Sequence, residues 1–266
     1  MNAQRFLESG VRFMQQHQPL PLPCVPHATE RLPFTVRRVA DSEALLKAVQ
    51  VRHAAYARHV PEFASTLARP EACDYEDDTV VLLAESRLDG SPLGSVRIQT
   101  NFYRPLQVEA SIALPDWLQG RRLAEVTRLG VGEGRIGRMV KIALMKGMFE
   151  YWEQNAIDYA VATGRAPIDR QYEQLLFSDV FGEHAMVPLA HVGGMPHRVM
   201  AFEVATAEAR WQAARHPLLA FFRHTRHPDI DIGQPPARAP QRAARLAPAL
   251  APGGAAAGFE RPLAYA

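Results

Sequence analysis

Of its 266 residues only two are cysteine, Cys24 and Cys73, and they form neither a Cys-x-x-Cys pair nor a disulfide framework. That excludes a disulfide-stapled secreted scaffold and points to two reduced thiols in a reducing compartment. Long apolar runs are also missing: nothing approaches the roughly 18 apolar residues that a membrane helix needs, so no integral membrane segment is expected. Neither sign of charge dominates, since 30 basic residues face 28 acidic ones for a formal net charge of +2. No nucleic-acid partner follows from such a balance, although a local basic cluster suits an acidic protein. There is no Gly-x-Ser-x-Gly elbow and neither cysteine sits in a nucleophile motif, which argues against covalent nucleophilic catalysis. No metal is expected: His191 and His197, around Val192-Gly-Gly-Met-Pro, lack a third ligand at a recognisable spacing and read as incidental to a hairpin. His216, His224 and His227 read as surface residues near the end of the last helix. No internal repeat is present.

What is there is an ordinary globular composition, 47% hydrophobic and 22% charged, in a chain long enough to bury a core. Residues 1–18 read as a short amphipathic helix (Phe6, Leu7, Val11, Phe13, Met14) interrupted by Arg5, Glu8 and Arg12, not as a signal peptide. Pro21-Leu-Pro-Cys24 lacks the small residues of a lipoprotein cleavage site, so the expected location is the cytoplasm. A Pro-rich strap ends at residue 33, and the principal domain is expected over 34–223.

Within that domain, Phe34–Val39 alternates like a strand, and Asp41 or Ser42 suits the N-cap of a helix reaching His59. Val80–Glu85 and Gly94–Thr100 flank Leu88-Asp-Gly-Ser-Pro92, a hairpin signal. A strand over Ala124–Val131 leads through a Gly/Arg-rich turn into a helix reaching Asn155. Ile157–Thr163 reads as a buried strand, and Pro167 as position N1 of a helix extending to Phe177. Val187–Val192 and Pro196–Val204 read as paired strands, and a final helix carries Trp211 to Arg223. Residues 224–266, rich in Ala, Pro and Arg without periodicity, are expected to be a disordered tail, and removing 233–266 to leave the fold intact. The fold class is therefore α/β of the α+β type, with a mixed central sheet and helices on both faces.

Several charges stand inside or beside segments that otherwise read as buried. Arg52 and Tyr56 share a helix face at i, i+4. Asp74 and Asp77 precede a strand, Arg97 interrupts the next one, and Glu125 and Arg128 interrupt the one after. Buried charges are costly unless paired, so these groups should neutralise one another in or near a cleft. Two uses remain open: a reaction centre, or a network that only braces the sheet edge. Tyr56 by itself equally suits a core aromatic.

Arg52…Tyr56, Asp74-x-x-Asp77, Gly94-x-x-Arg97 and Glu125-Val-Thr-Arg128, in this order, resemble the motifs of acyl-homoserine-lactone synthases and of the related N-acyl amino acid synthases. Both are GNAT-fold enzymes that take acyl chains from acyl carrier protein, and the resemblance covers about residues 34–165. It implies a GNAT-like sheet and an N-acyltransferase. Glu125 would be the general base, with Arg128 beside it at the acyl-transfer point. Arg52, Tyr56, Asp74, Asp77 and Arg97 would line the amine site. Asp74 and Asp77 are candidates for the ammonium group, and Arg97 or Arg128 for a carboxylate. The resemblance also implies a backbone N–H near Gly130–Val131 that polarises the thioester carbonyl.

No tightly bound cofactor is implied; an acyl-phosphopantetheine thioester would be the co-substrate. Acetyl-CoA enzymes of this fold carry an Arg/Gln-x-x-Gly-x-Gly/Ala loop. Gly132-Glu-Gly-Arg-Ile-Gly-Arg138 has one residue too few before its glycine. That departure favours a donor without the nucleotide. Arg135, Gly137, Arg138 and Lys141, with Arg121, Arg122 and Lys146 nearby in sequence, are candidates for meeting an acidic acyl carrier protein. A solvated basic helix face would use the same residues. The first reading is an N-acyl amino acid synthase that moves a medium or long fatty acyl chain from acyl carrier protein (or CoA) to the amino group of a free amino acid, a small-molecule amine, by direct attack on the thioester. The alternatives are a homoserine-lactone synthase using S-adenosylmethionine, and a non-catalytic binding module of the same fold.

Overall fold

A computed structural model describes residues 28–233. The expected N-terminal helix, Cys24 and the chain beyond residue 233 lie outside the described residues. The chain begins with β1 (Ala28–Thr29), β2 (Phe34–Arg38), α1 (Ser42–Ala57) and the single turn α2 (Pro61–Ala64). It continues with β3 (Thr79–Ser86), β4 (Pro92–Thr100), β5 (Leu123–Val131), α3 (Gly134–Gln154) and β6 (Tyr159–Gly164). Then come α4 (Asp169–Gln174), β7 (Ser178–Asp179), β8 (Met186–Pro188), β9 (Pro196–Glu203) and α5 (Ala207–Ala213). Two short strands, β10 (Thr225–Arg226) and β11 (Ile230–Asp231), close the described chain.

Among the described residues the main sheet runs β11-β2-β3-β4-β5-β6-β9-β7, with β8 also paired to β9. The β5–β6 and β11–β2 pairs are parallel and the others antiparallel. The expected mixed sheet with helices on both faces is present, and β3 shows why. Val80, Leu82 and Ala84 join the core that includes Val140, Ala143 and Leu144 of α3. Val81 and Leu83 pack on Leu45, Ala48 and Val49 of α1. A continuous apolar run is the mark of a strand buried on both faces, and each such side chain contributes roughly 1.5–3 kcal/mol. Asp41 caps α1 by accepting the Ala44 N–H at 2.8 Å, as expected.

One topological feature creates the site. β5 and β6 pair only from Leu123/Tyr159 to Val126/Ala162, yet β5 continues to Val131 and β6 to Gly164. Beyond the last pair the strands part, and a cleft opens between them.

Three expectations need correction. Val187–Val192 is not one strand: only Met186–Pro188 pairs with β9, and Ala190–Val192 is a 3-10 turn ended by left-handed Gly193. Pro167 does not start its helix: α4 begins at Asp169 and stops at Gln174. The last helix stops at Ala213, with left-handed Arg215 and then Pro217, which cannot continue one, leaving α5 and a separate π-turn over Ala220–His224.

The boundary at residue 223 also falls too early. β11 pairs with β2, and Ile230 and Ile232 enter the main core. The Asp229 carboxylate accepts from the Leu32 N–H at 2.9 Å and from Arg31 and Arg87. Lys146, expected in the basic cluster, is buried instead and donates to the carbonyls of Phe221 and Thr225. His227, read as a surface residue, is buried against the same ammonium group, 3.0 Å away.

Candidate active site

The site grows from alternation along β4. Val96 and Ile98 join the core under α3, so Ser95, Arg97 and Gln99 project to the α1 side. There Ser95 Oγ donates to the Ala48 carbonyl of α1 at 3.0 Å. Across the ladder Gln99 pairs with Glu125 and Arg97 with Thr127, extending the polar stripe onto β5. Arg97 is 0% exposed, and its Nε donates to Thr127 Oγ1 at 3.0 Å.

A regular strand would point Glu125 and Arg128, three apart, to opposite faces. The β4–β5 register jumps from Arg97/Thr127 to Ser95/Gly130, placing Arg128 and Leu129 opposite the single residue Val96. This is a β-bulge, and Arg128 sits in it at φ 58°, a left-handed conformation unusual for a side chain other than glycine. The bulge turns Arg128 back to the polar side. Its Nε and Nη2 donate to both oxygens of Glu71 at 2.8 and 2.7 Å.

Glu71 and Asp74, at a 3-10 turn over Ala72–Tyr75, anchor the network. Arg52 makes a two-pronged contact with Asp74 at 3.1 and 2.8 Å, and Arg97 Nη1 donates to Glu71 and Asp74 at 3.0 and 3.2 Å. Asp74 also accepts the Glu71 N–H at 2.8 Å. Burial alone would raise both carboxyls, but Arg128 acting on Glu71 and Arg52 on Asp74 prevail and hold them below the ordinary carboxylate range. Three guanidinium groups thus face two carboxylates, which leaves one positive charge uncompensated within the cluster.

Glu125 lies beside this cluster and is 0% exposed. Its Oε2 accepts the Val108 N–H at 3.1 Å, while Oε1 has no hydrogen-bond partner among the described residues. Loss of hydration drives its pKa up to about 7, against the opposing pull of the Val108 N–H and Arg97. His191 Nε2 is 3.7 Å from Oε1. Burial, with Arg128 adding to it, lowers the imidazole to about 4. The two therefore form no salt bridge at neutral pH. The His191 carbonyl accepts from Arg128 Nη2 at 3.0 Å, which ties this turn to the bulge.

The cleft between the parted strands has a volume of about 380 Å³. Arg128, Tyr56, Phe63, Ile168, Tyr172 and His191 are among the residues that line it. Gly132 N–H donates to the Leu93 carbonyl on β4 at 2.9 Å. By alternation the Val131 N–H turns the other way, toward the cleft. At this strand's end Gly137, in the first turn of α3, packs so closely that a Cβ would lie 1.8 Å from the Gly132 carbonyl oxygen.

A protein-family model described as N-acyl amino acid synthase FeeM matches residues 47–201, more than half the chain. The chain belongs to this family. It is an N-acyltransferase of GNAT-like fold. The solved structure of FeeM, an N-acyl amino acid synthase from uncultured soil microbes, is 16% identical and superposes with a TM-score of 0.51 over 71% of this chain and 97% of that one. BjaI, a CoA-dependent acyl-homoserine lactone synthase solved with SAM and isopentyl-CoA, is 16% identical with a TM-score of 0.50, over 76% of this chain and 95% of that one. No curated protein matches the sequence.

In this N-acyltransferase the residues singled out from sequence fall into three groups. Arg52, Asp74, Arg97 and Arg128 meet in one buried network beside Glu125, and Tyr56 lines the cleft with Gly130 and Val131. Asp77 stays outside: it is exposed, and the buried neighbour is Asp78, bound by Arg104 at 2.9 Å. Both lie in the turn before β3, where Asp78 turns inward to Arg104 and Asp77 turns out. Nor is Asp74 open to an ammonium group, since two arginines and a backbone N–H already occupy its oxygens.

On the donor side Gly137 is buried, Arg135 and Arg138 are exposed, and Lys141 is half-buried. Arg121 and Arg122 precede the opposite end of β5, nine residues and about 30 Å along the strand, so the expected basic cluster divides. Glu71 was not singled out, and His191 was set aside as incidental. Glu71 lies in an acidic loop with no periodicity to expose it, and His191 arrives from a turn distant in sequence. His191 and His197 are both buried members of the cleft wall rather than incidental hairpin residues.

Proposed function

We propose that the protein transfers a medium or long fatty acyl chain from acyl carrier protein to the amino group of a free amino acid by direct attack on the thioester. The observation that carries this reading is the buried Glu125 carboxyl. One of its oxygens is unsatisfied, and its pKa near 7 suits a group that takes a proton from an ammonium group at neutral pH. The amine nitrogen then attacks the thioester carbonyl, and the Val131 N–H is oriented to receive the developing oxyanion. Once Glu125 has taken the proton, the guanidinium groups of Arg52, Arg97 and Arg128 face only the carboxylates of Glu71 and Asp74, and the remaining positive charge favours an acceptor that carries a carboxylate. That is the reason to rank an amino acid above a simple amine.

The apolar cleft wall of Phe63, Ile168 and Tyr172 suits an acyl chain. Arg135 and Arg138, exposed beside Ile136 and Met139 on the first turns of α3, offer a mixed basic and apolar face to an acidic carrier. The short β5–α3 connection, only Gly132 and Glu133 and closed by the Gly137 contact, supports a donor other than free CoA.

Lipid extracts from an expressing host, analysed by mass spectrometry, should contain N-acyl amino acids. Glu125→Gln should reduce them at least ~100-fold, the usual share of a general base. Acyl homoserine lactones in their place would overturn the acceptor assignment, and undiminished product in Glu125→Gln would overturn the base.

A further inference from the structure

Acylating an ammonium group removes two protons from nitrogen, and only one of them is accounted for by Glu125. The other side of the reaction has its own need. As the C–N bond forms and the C–S bond breaks, the electron pair goes to sulfur, and an alkyl thiolate, a far stronger base than a carboxylate, leaves faster when a positioned acid protonates it as it departs. His191 is the polar group between these two demands. Its side chain is 7% exposed, it lines the cleft, and both Nδ1 and Nε2 lack a hydrogen-bond partner among the described residues. Facing it is Glu125 Oε1, also unsatisfied, 3.7 Å from Nε2. Two unpaired buried polar atoms, Nε2 and Oε1, face one gap, and Nδ1 across the ring is also unpaired, which leaves a place for a proton-carrying contact.

We propose that His191 carries the acceptor's proton from Glu125 to the departing thiolate by exchanging its tautomer. This deepens the proposed acyl transfer and rests on that reading. Glu125 takes the first ammonium proton and becomes a carboxylic acid. It gives that proton to His191 Nε2 as the Nδ1 proton passes to sulfur, so a neutral thiol leaves and Glu125 is a carboxylate again. The second proton leaves nitrogen for solvent as the amide forms, and exchange with water restores the Nδ1–H tautomer. The imidazole stays uncharged throughout. That is what its surroundings demand, because Arg128, Arg97 and His197 face it and only Glu71 and Glu125 offset them. A gap of 3.7 Å is too long for a direct hydrogen bond, but one water or a shift of less than 1 Å closes it when substrate binds.

The leaving group supplies the test. Wild type, His191→Gln and His191→Phe would be assayed with dodecanoyl-pantetheine and with the dodecanoyl ester of thiophenol, an acidic thiol, using a mixture of amino acids as acceptor. With the pantetheine ester His191→Gln should lose about 100-fold in kcat and little in KM. With the thiophenyl ester, whose thiolate departs without a proton, the loss should shrink to roughly threefold. His191→Phe keeps the packing of a flat ring and should follow the same pattern. Equal losses with both esters, or none with either, overturn the proposal. Should wild type acylate no amino acid with either ester or with dodecanoyl-acyl carrier protein, the acyl-transfer reading fails. The relay is then judged by 15N NMR of the His191 ring. A neutral ring at pH 7 whose tautomer ratio shifts in Glu125→Gln supports it, and a charged or insensitive ring overturns it.

Discussion

Glu125 is the residue at which stability and chemistry conflict. Its folded-state pKa is near 7 against 4.5 for the free side chain. The protonated form is therefore favoured by folding, and the group's contribution is fully present below about pH 4.5 and declines as pH rises to 7. Glu125→Gln should consequently be more stable than wild type at pH 8 and gain little at pH 4.5. The difference should approach ~3 kcal/mol, as chemical denaturation at the two pH values would show. Activity should follow the opposite trend, with wild-type kcat/KM rising through pH 7 as the base ionises. Arg128 has a different weight. Replacing it with alanine removes two of the hydrogen bonds on Glu71 and the link to the His191 carbonyl. Breaking a buried ion pair from one side costs about 3–5 kcal/mol, so Arg128→Ala should lower both melting temperature and turnover. At this scale much of the site was readable, because Arg97, Glu125 and Arg128 stand out as charges in strands that otherwise read as apolar. Glu71 and His191 were not, since a carboxylate in a polar loop and a histidine in a turn carry no local mark of burial.

Among the elements, β5 places Glu125 and Arg128, and the turn at Ala190–Val192 brings His191 opposite them. The bulge at Arg128 lets residues three apart share one side, and the end of β5–β6 pairing opens the cleft that Arg128 and His191 line, with Glu125 buried behind them. Gly137 holds the start of α3 against the end of β5, with no room for even one more carbon. Gly137→Ala should force α3 outward and cost ~1–3 kcal/mol, the usual penalty for overpacking, measurable as a lower denaturation midpoint. Gly134→Ala, a control in the same turn, has open space around it and only a left-handed φ of 73° to contend with, so its defect should be smaller. Most of these elements were legible from apolar periodicity and from the Asp41 cap. The bulge was not, because nothing in Glu-Val-Thr-Arg distinguishes a regular strand from an interrupted one. The misread segments, 187–192 and 211–223, have proline or glycine punctuation whose consequence depends on what they pack against.

For the molecule as a whole, the end of the described chain works as a clasp. Ile230 and Ile232 fill the core beside Val36 and Gly147, and Asp229 ties Leu32, Arg31 and Arg87 together. Ending the protein at residue 224 would uncover both isoleucines, at roughly 1.5–3 kcal/mol each, besides freeing the buried Lys146 ammonium group from the Thr225 carbonyl and His227. Thermal denaturation of that truncation should show a fall in melting temperature of at least ~5 °C; an unchanged transition would dismiss the clasp. The sequence by itself determined the order of helices and strands, the polar stripe through β4 and β5, and the motif series that marks an N-acyltransferase. Those features are local, set by the repeat of two or 3.6 residues and by side-chain type. Only the tertiary structure decided which acids neutralise which arginines, why Asp77 is left out, and that His191 stands opposite Glu125. Such partners are chosen by strand order, bulge and loop closure, which bring residues far apart in the chain within a few ångströms and leave no trace in the spacing of either one.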